Sequence, residues 1–138
     1  MAHVQPINLD AIAARAGFEI AKKVFQKSEK KSDTENWITK SLGVLQEQGI
    51  YAFFLYLAAQ NKTATQTLSE HAASLLGQQG IKILGAGDIL GEIRGGLAKD
   101  MDKLLLGHSV LTQALIYARY HAKAIPDSKS SRTEEVVS

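Results

Sequence analysis

The fold is decided by residues 97–125, which read LAKDMDKLLLGHSVLTQALIYARYHAKAI. Apolar side chains recur here at spacings of three and four residues, which place them on one face of an α-helix. They are Leu97, Met101, Leu104, Leu111, Leu115, Ala118, Ala122 and Ile125, and only His108 interrupts the series. Gly107 is the weak point, because glycine within a helix costs about 1 kcal/mol relative to alanine. A break there would leave Ser109 to cap a second half. Such an apolar face has to pack against other helices.

The length and composition fit one helical domain. The chain has 138 residues, of which 45% are hydrophobic, enough for a single core but not for two. Pro6 and Pro126 bracket the apolar segments. We therefore predict an all-α protein, a single compact bundle of about five to six helices with a long C-terminal helix, over residues 7–125. Residues 126–138 are polar and charged, and we expect a disordered tail.

Five further helices are predicted before the final helix. The first runs from about Asn8 to about Gln26, and its apolar surface is large enough for more than one neighbour. Ser32 and Glu35 have capping-box spacing and would open the second helix, which ends at Gly49 in a tight corner. The third helix, residues 50–60, is apolar on nearly every side, so we expect it to be the central and most buried element.

Polar residues predict the limits of the two remaining helices. Thr63 or Thr65 can cap the fourth helix, which stops at Gly77. Residues 77–96 are rich in glycine and favour loops around a short helix from Asp88 to about Arg94. The glycines do not match the spacing of a dinucleotide-binding turn, and no alternation of strand and helix surrounds them.

Several function classes have no support in the composition. The chain has no cysteine, which excludes disulfides and thiolate chemistry, and its four histidines are scattered, so we expect no metal site and no cofactor. We also find no nucleophile with a base and no paired carboxylates in a cleft, which argues against an enzyme. The longest apolar run, residues 50–59, is half of the roughly 20 residues that a membrane span needs. The start lacks the pattern of a secretory signal, and a soluble cytoplasmic protein is expected.

Basic residues lie along two of the predicted helices. The first helix carries Arg15 and Lys22 away from its apolar stripe, with Lys23 at the edge, and the basic run continues beyond the helix into Lys27. One interpretation is a solvated face, and the other is a ridge that contacts phosphates. Arg119 and Lys123 share a face of the final helix, where they complement the helix dipole or extend the basic surface of the first helix.

Two blocks resemble a known family, the small subunit of type III-B CRISPR effectors, the Cmr complexes. Residues 40–55, KSLGVLQEQGIYAFFL, resemble the segment in which that subunit ends one helix and opens the next at a glycine. Residues 104–125 resemble the family's terminal helix, in which an aromatic residue is followed by basic ones, here Tyr117 and Arg119. Ala16, Lys23 and Val24 match the first helix. The chain departs from the family at Gln46, where arginine is common.

The resemblance implies a non-catalytic helical subunit of a ribonucleoprotein complex for antiviral defence. Such a subunit stacks with copies of itself and with other effector subunits, and contacts guide RNA and single-stranded target RNA through basic side chains. Lys23, Lys40 and Arg119 are the RNA-binding residues that the resemblance implies, and helical geometry adds Arg15, Lys22, Lys27 and Lys123. The alternative is a helical protein–protein adaptor with no nucleic-acid role, which would dock through its first and final helices.

Overall fold

The structure, a computed structural model, describes residues 8–77, 89–95 and 100–126. Within these ranges the chain forms six α-helices and no strand. They are α1 (Leu9–Ser28), α2 (Lys31–Gln48), α3 (Ile50–Gln60), α4 (Thr63–Leu76), α5 (Ile89–Gly95) and α6 (Met101–Ala124). The predicted all-α bundle with a long C-terminal helix is confirmed. Residues 127–138, for which we predicted a disordered tail, lie outside the described residues, as does Asp88.

The centre of the bundle is a very close contact between α1 and α6. Small residues four apart line both helices at this contact, and all of them are buried: Ala13, Gly17 and Ala21 on α1, and Ala114, Ala118 and Ala122 on α6. A Cβ atom placed on Gly17 would lie 2.7 Å from the carbonyl oxygen of Ala114 and 2.9 Å from the amide nitrogen of Ala118. The two backbones therefore approach each other so closely that only glycine fits at position 17.

α1 and α6 run in the same direction. Near its start α1 borders the middle of α6, where Leu9 and Val110 line a common cleft. Further along, the Phe18 ring lies edge-on to His121, with centroids 5.4 Å apart. α1 also packs against α2 and α4, so the prediction of more than one neighbour is confirmed.

The connection from α1 to α2 differs from the predicted capping box. α2 begins at Lys31, so Ser32 lies inside the helix, and the N-cap Lys30 makes no side-chain cap hydrogen bond. The buried hydroxyl of Thr34 donates instead to the carbonyl of Lys30 (2.8 Å), and the hydroxyls of Ser28 and Thr34 are hydrogen-bonded at 2.7 Å. The spacing of Ser32 and Glu35 was right for a cap, but the helix starts two residues too early for Ser32 to provide one.

Gly49 forms the predicted corner between α2 and α3. α2 ends at Gln48, α3 begins at Ile50, and Gly49 has φ +97° and ψ −176°. This backbone conformation is open almost only to glycine, because a Cβ atom at positive φ meets the backbone. One residue is therefore enough to fold α3 back against α2.

α3 is buried on one side only, so the expectation that it is the most buried element was wrong. Phe53 and Phe54 are buried and pack edge to face with centroids 4.9 Å apart. Leu55, in contrast, is 46% exposed, and Ala58 and Ala59 are also exposed. The prediction took the apolar composition of α3 as a measure of its burial. The closest packing in the bundle instead uses the small residues of α1 and α6.

The start of α4 is stabilised by Thr65, although neither Thr63 nor Thr65 is its N-cap. The N-cap residue is Lys62, whose backbone N–H donates to Oγ1 of Thr65 (3.2 Å). The helix ends at Leu76, before Gly77, as predicted. α5 packs on α3, where Ile93 is buried.

α6 continues without a break through Gly107, which is buried. Ser109 is therefore a mid-helix residue, and the N-cap of α6 is Asp100, whose carboxylate accepts from the backbone N–H of Lys103 (3.1 Å). The next residue, His108, donates from Nε2 to the carbonyl of Leu45 (2.9 Å), which attaches α6 to the last turn of α2. Met101, the second position of the predicted apolar series, is 64% exposed. Of the helices that the structure describes, none has the length and apolarity needed to cross a bilayer.

Asp10 and Tyr117 connect α1 to α6 at the surface, and their hydrogen bond predicts a pH dependence. The Tyr117 hydroxyl donates to Oδ1 of Asp10 at 2.5 Å. This hydrogen bond is the main cause that raises the pKa of Tyr117, and desolvation and the Asp10 charge act in the same direction, while Gln113 opposes them. The raised pKa means that the bond stabilises the fold below about pH 10 and that this contribution is lost as the pH rises through the raised value.

We expect Tyr117 to ionise above its ordinary pKa of about 10 when the native protein is titrated. The measurement is tyrosine ring NMR against pH. Tyr117→Phe should remove that titration, and Asp10→Ala should move it down toward pH 10. An Asp10→Ala variant whose tyrosines all titrate as in the wild type would contradict the contact.

Candidate nucleic-acid interface

The basic residues of α1 follow two lines along the helix, Arg15 with Lys22 and Lys23 with Lys27. Arg15, Lys22 and Lys27 are exposed, and Lys23 is half-buried. The Nζ of Lys22 lies 5.9 Å from the centroid of the Phe18 ring, so a cation–π contact holds it over an exposed aromatic side chain. Arg15 and Lys22 are seven residues apart, two helical turns, and thus follow one line along the helix.

Arg119 and Lys123 face away from α1. The α6 positions that face α1 include Ala114, Ala118 and His121. Each residue turns the helix by about 100°, so Arg119 and Lys123 point well away from that direction. Arg119 instead follows His108 by eleven residues, about three turns, and so shares the side of α6 that faces α2. The structure therefore does not join these two residues to the basic line on α1.

Arg119 has an unsatisfied donor. Its Nε is buried and has no hydrogen-bond partner among the described residues, although the side chain as a whole is partly exposed. The guanidinium carbon lies 6.0 Å from the centroid of the Tyr120 ring. Buried polar atoms in proteins are nearly always hydrogen-bonded, so the Nε of Arg119 is an exception in this structure.

Lys40 belongs to a cleft of its own. It lies on the outer side of α2, opposite the buried residues of that helix. The cleft has a volume of about 340 Å³ and is lined by Asp33, Asn36, Trp37, Lys40 and Lys62. Lys62 was not among the residues predicted from the sequence.

The length of α3 explains why Lys62 reaches α2. α3 has 11 residues, which rise by about 16 Å, and it folds back along α2 from the corner at Gly49. The next corner, which includes Lys62, thus returns to the level of the first half of α2. Positions 33, 36, 37 and 40 share one face there, because they are separated by three or four residues.

A second cleft, apolar in character, lies between the second half of α1 and the end of α6. It has a volume of about 430 Å³ and is lined by Phe18, Ala21, Lys22, Phe25, Gln26, His121, Ala124 and Ile125. Phe18 is 47% exposed in it. Of the predicted basic residues, Lys22 lines this apolar cleft and Lys40 lines the cleft with Trp37. The other five, on α1 and α6, line neither cleft.

The seven predicted RNA-binding residues are not neutralised by acids among the described residues. Within residues 8–77, 89–95 and 100–126, none of the seven predicted RNA-binding residues makes an ion pair. The same ranges hold no group of three or more His, Cys, Asp or Glu side chains that could bind a metal ion. His71, which we had expected to be a surface or core residue, is half-buried, and its Nδ1 is hydrogen-bonded to the carbonyl of Thr67 at 3.0 Å.

The chain matches no protein-family model, no curated protein and no solved structure.

Proposed function

We propose that this chain is a non-catalytic small subunit of a type III CRISPR ribonucleoprotein effector that contacts the backbone of guide and target RNA. It would stack with copies of itself and with other effector subunits. The sequence resemblance in residues 40–55 and 104–125 supplies the family. The observation that carries RNA binding is that all seven predicted cations, none of them ion-paired in the described structure, are at least partly accessible.

Unpaired cations of this kind suit a subunit that has to accept any guide sequence. Lysine and arginine contacts to phosphates give affinity that does not depend on base sequence. The basic residues are distributed over α1, α2 and α6 and do not converge on one face of a single copy, so several copies would have to contact the RNA backbone together. Each copy then contributes few phosphate contacts.

The test is binding of a labelled single-stranded RNA, measured by fluorescence anisotropy over a range of salt concentrations. The logarithm of the affinity should fall linearly with the logarithm of the salt concentration, because binding releases counterions. Replacing both Lys23 and Lys40 with glutamine should reduce that slope by about 1.4, since each contact to a single strand contributes about 0.7.

Lys103→Gln is the matched control, because Lys103 is exposed and lies at the start of α6, outside the predicted set. Its slope should equal that of the wild type. The isolated chain makes few contacts, so the same series is repeated in the assembled complex. Absent or salt-insensitive binding in both settings would refute the proposal.

The apolar cleft between α1 and α6 favours a second candidate, an adaptor that binds proteins only. Phe18, Phe25 and Ile125 line this cleft and offer an apolar surface to a partner helix. An adaptor would retain its partner after nuclease treatment and in high salt, whereas an RNA-dependent complex would dissociate.

A further inference from the structure

The cleft around Trp37 brings an aromatic side chain together with two lysines. Neither Trp37 nor Lys62 was predicted from the sequence to bind RNA. In the structure both line the same cleft with Lys40, Asn36 and Asp33. Trp37 packs against the hydrophobic core and is only partly buried, so part of its indole remains accessible on the cleft side.

We propose that this cleft binds one nucleotide of single-stranded RNA, with the base stacked on Trp37 and the flanking phosphates on Lys40 and Lys62. The inference rests on the proposed RNA binding and adds a site that recognises the base as well as the backbone. Single-stranded nucleic acids are commonly held in this way, by aromatic side chains that stack on bases beside cations that contact phosphates.

The side chains of the cleft fit a nucleotide better than a bare anion. Lys40 and Lys62 come from different elements, α2 and the corner before α4, and so approach the cleft from two sides. Asp33 would repel a simple anion, but its carboxylate can accept a hydrogen bond from a ribose 2′-hydroxyl or a base amino group. The Asn36 amide can both donate to and accept from a base edge.

The size of the cleft is also suitable. Its volume of about 340 Å³ lies within the range of about 300–1,000 Å³ that is usual for small-ligand sites. Lys40 and Lys62 remain available to a ligand, because neither lysine makes an ion pair among the described residues. Core packing holds Trp37 in place, so little side-chain freedom is lost when a base stacks on it.

The chain contains a single tryptophan, which makes the site directly observable. Titration with a short single-stranded oligoribonucleotide should quench the fluorescence of Trp37 in parallel with the binding measured by anisotropy. A duplex RNA of the same length should quench much less, because its bases are already stacked on one another. Tripolyphosphate, which has no base, should leave the emission unchanged.

Two variants outside the set used to test the proposed function distinguish the two claims. Trp37→Leu keeps an apolar side chain against the core but removes the aromatic face, and it should weaken single-strand affinity at least about fivefold. Lys62→Gln should reduce the salt slope by about 0.7. Lys103→Gln should change neither quantity. Circular dichroism confirms that each variant is folded.

The results separate the site from the general function. RNA could bind with the expected salt dependence while the Trp37 emission stays unchanged on binding and both Trp37→Leu and Lys62→Gln bind RNA as the wild type does. In that case the nucleotide site is wrong and the proposed function survives. If no RNA binds, both proposals fail. Equal quenching by duplex RNA or by tripolyphosphate would also overturn the site, because neither polyanion offers a free base.

Discussion

Replacing Gly17 with alanine should destabilise the protein by about 1–3 kcal/mol, the range for added volume in a tightly packed interior. The new Cβ would lie 2.6 Å from Cβ of Tyr117 and within 2.9 Å of two backbone atoms of α6. Backbone atoms cannot rotate away as a side chain can, so α1 and α6 would have to separate along the contact that centres the bundle. The measurement is urea unfolding followed by helical circular dichroism.

Gly43→Ala is the matched control for this prediction. Gly43 lies inside α2, and a Cβ atom placed on it meets nothing within 4 Å. Alanine is the better helix former, so this substitution should stabilise the protein by about 0.5–1 kcal/mol. The same chemical change thus has opposite signs at the two positions. A Gly17→Ala variant as stable as the wild type would contradict the close contact between α1 and α6.

Leu57→Ala should destabilise the fold by about 2–5 kcal/mol, as is usual when a buried leucine becomes alanine. Leu57 is 0% exposed, and its removal leaves a cavity on the inner side of α3. Leu55 lies two residues away on the same helix but is 46% exposed. Leu55→Ala should therefore change the stability by less than about 0.5 kcal/mol.

This pair tests the one-sided burial of α3 with identical substitutions in one helix. Both variants are compared by urea unfolding at the same pH and salt concentration. Equal losses of stability would mean that α3 is buried all round, as its composition alone had suggested.

The helices were predictable because their evidence is local. Apolar spacing predicted α1 to α4 and α6, and Gly49 predicted the corner before α3, where its positive φ requires a residue without a Cβ. The errors arose where distant contacts decide. The sequence around Gly107 favours a break, but tertiary packing and the hydrogen bond of His108 to α2 hold the helix together.

The small residues around Gly17 show that a single sequence does not reveal which helices pack together. Their spacing of four was visible on both α1 and α6, and it could have indicated close packing. The local sequence does not show that these two helices, almost one hundred residues apart, pack against each other and run in the same direction. The exposure of Phe18 likewise depends on where α6 ends, beside His121.

The candidate site was predictable in part for the same reason. Every residue predicted to bind RNA is at least partly accessible. Their grouping depends on the fold. Lys62 meets Lys40 and Trp37 only because α3 returns along α2. Arg119 and Lys123 share a helix face as expected, but α6 turns that face away from α1.

The most direct measurement of the proposed function is to purify this chain, with an affinity tag, from its native cells and to sequence the RNA that accompanies it. We predict guide RNA derived from CRISPR arrays, together with larger effector subunits. A chain carrying glutamine at Lys23, Lys40 and Arg119 should recover less of that RNA. Purification without RNA, with or without a protein partner, would contradict an RNA-binding subunit.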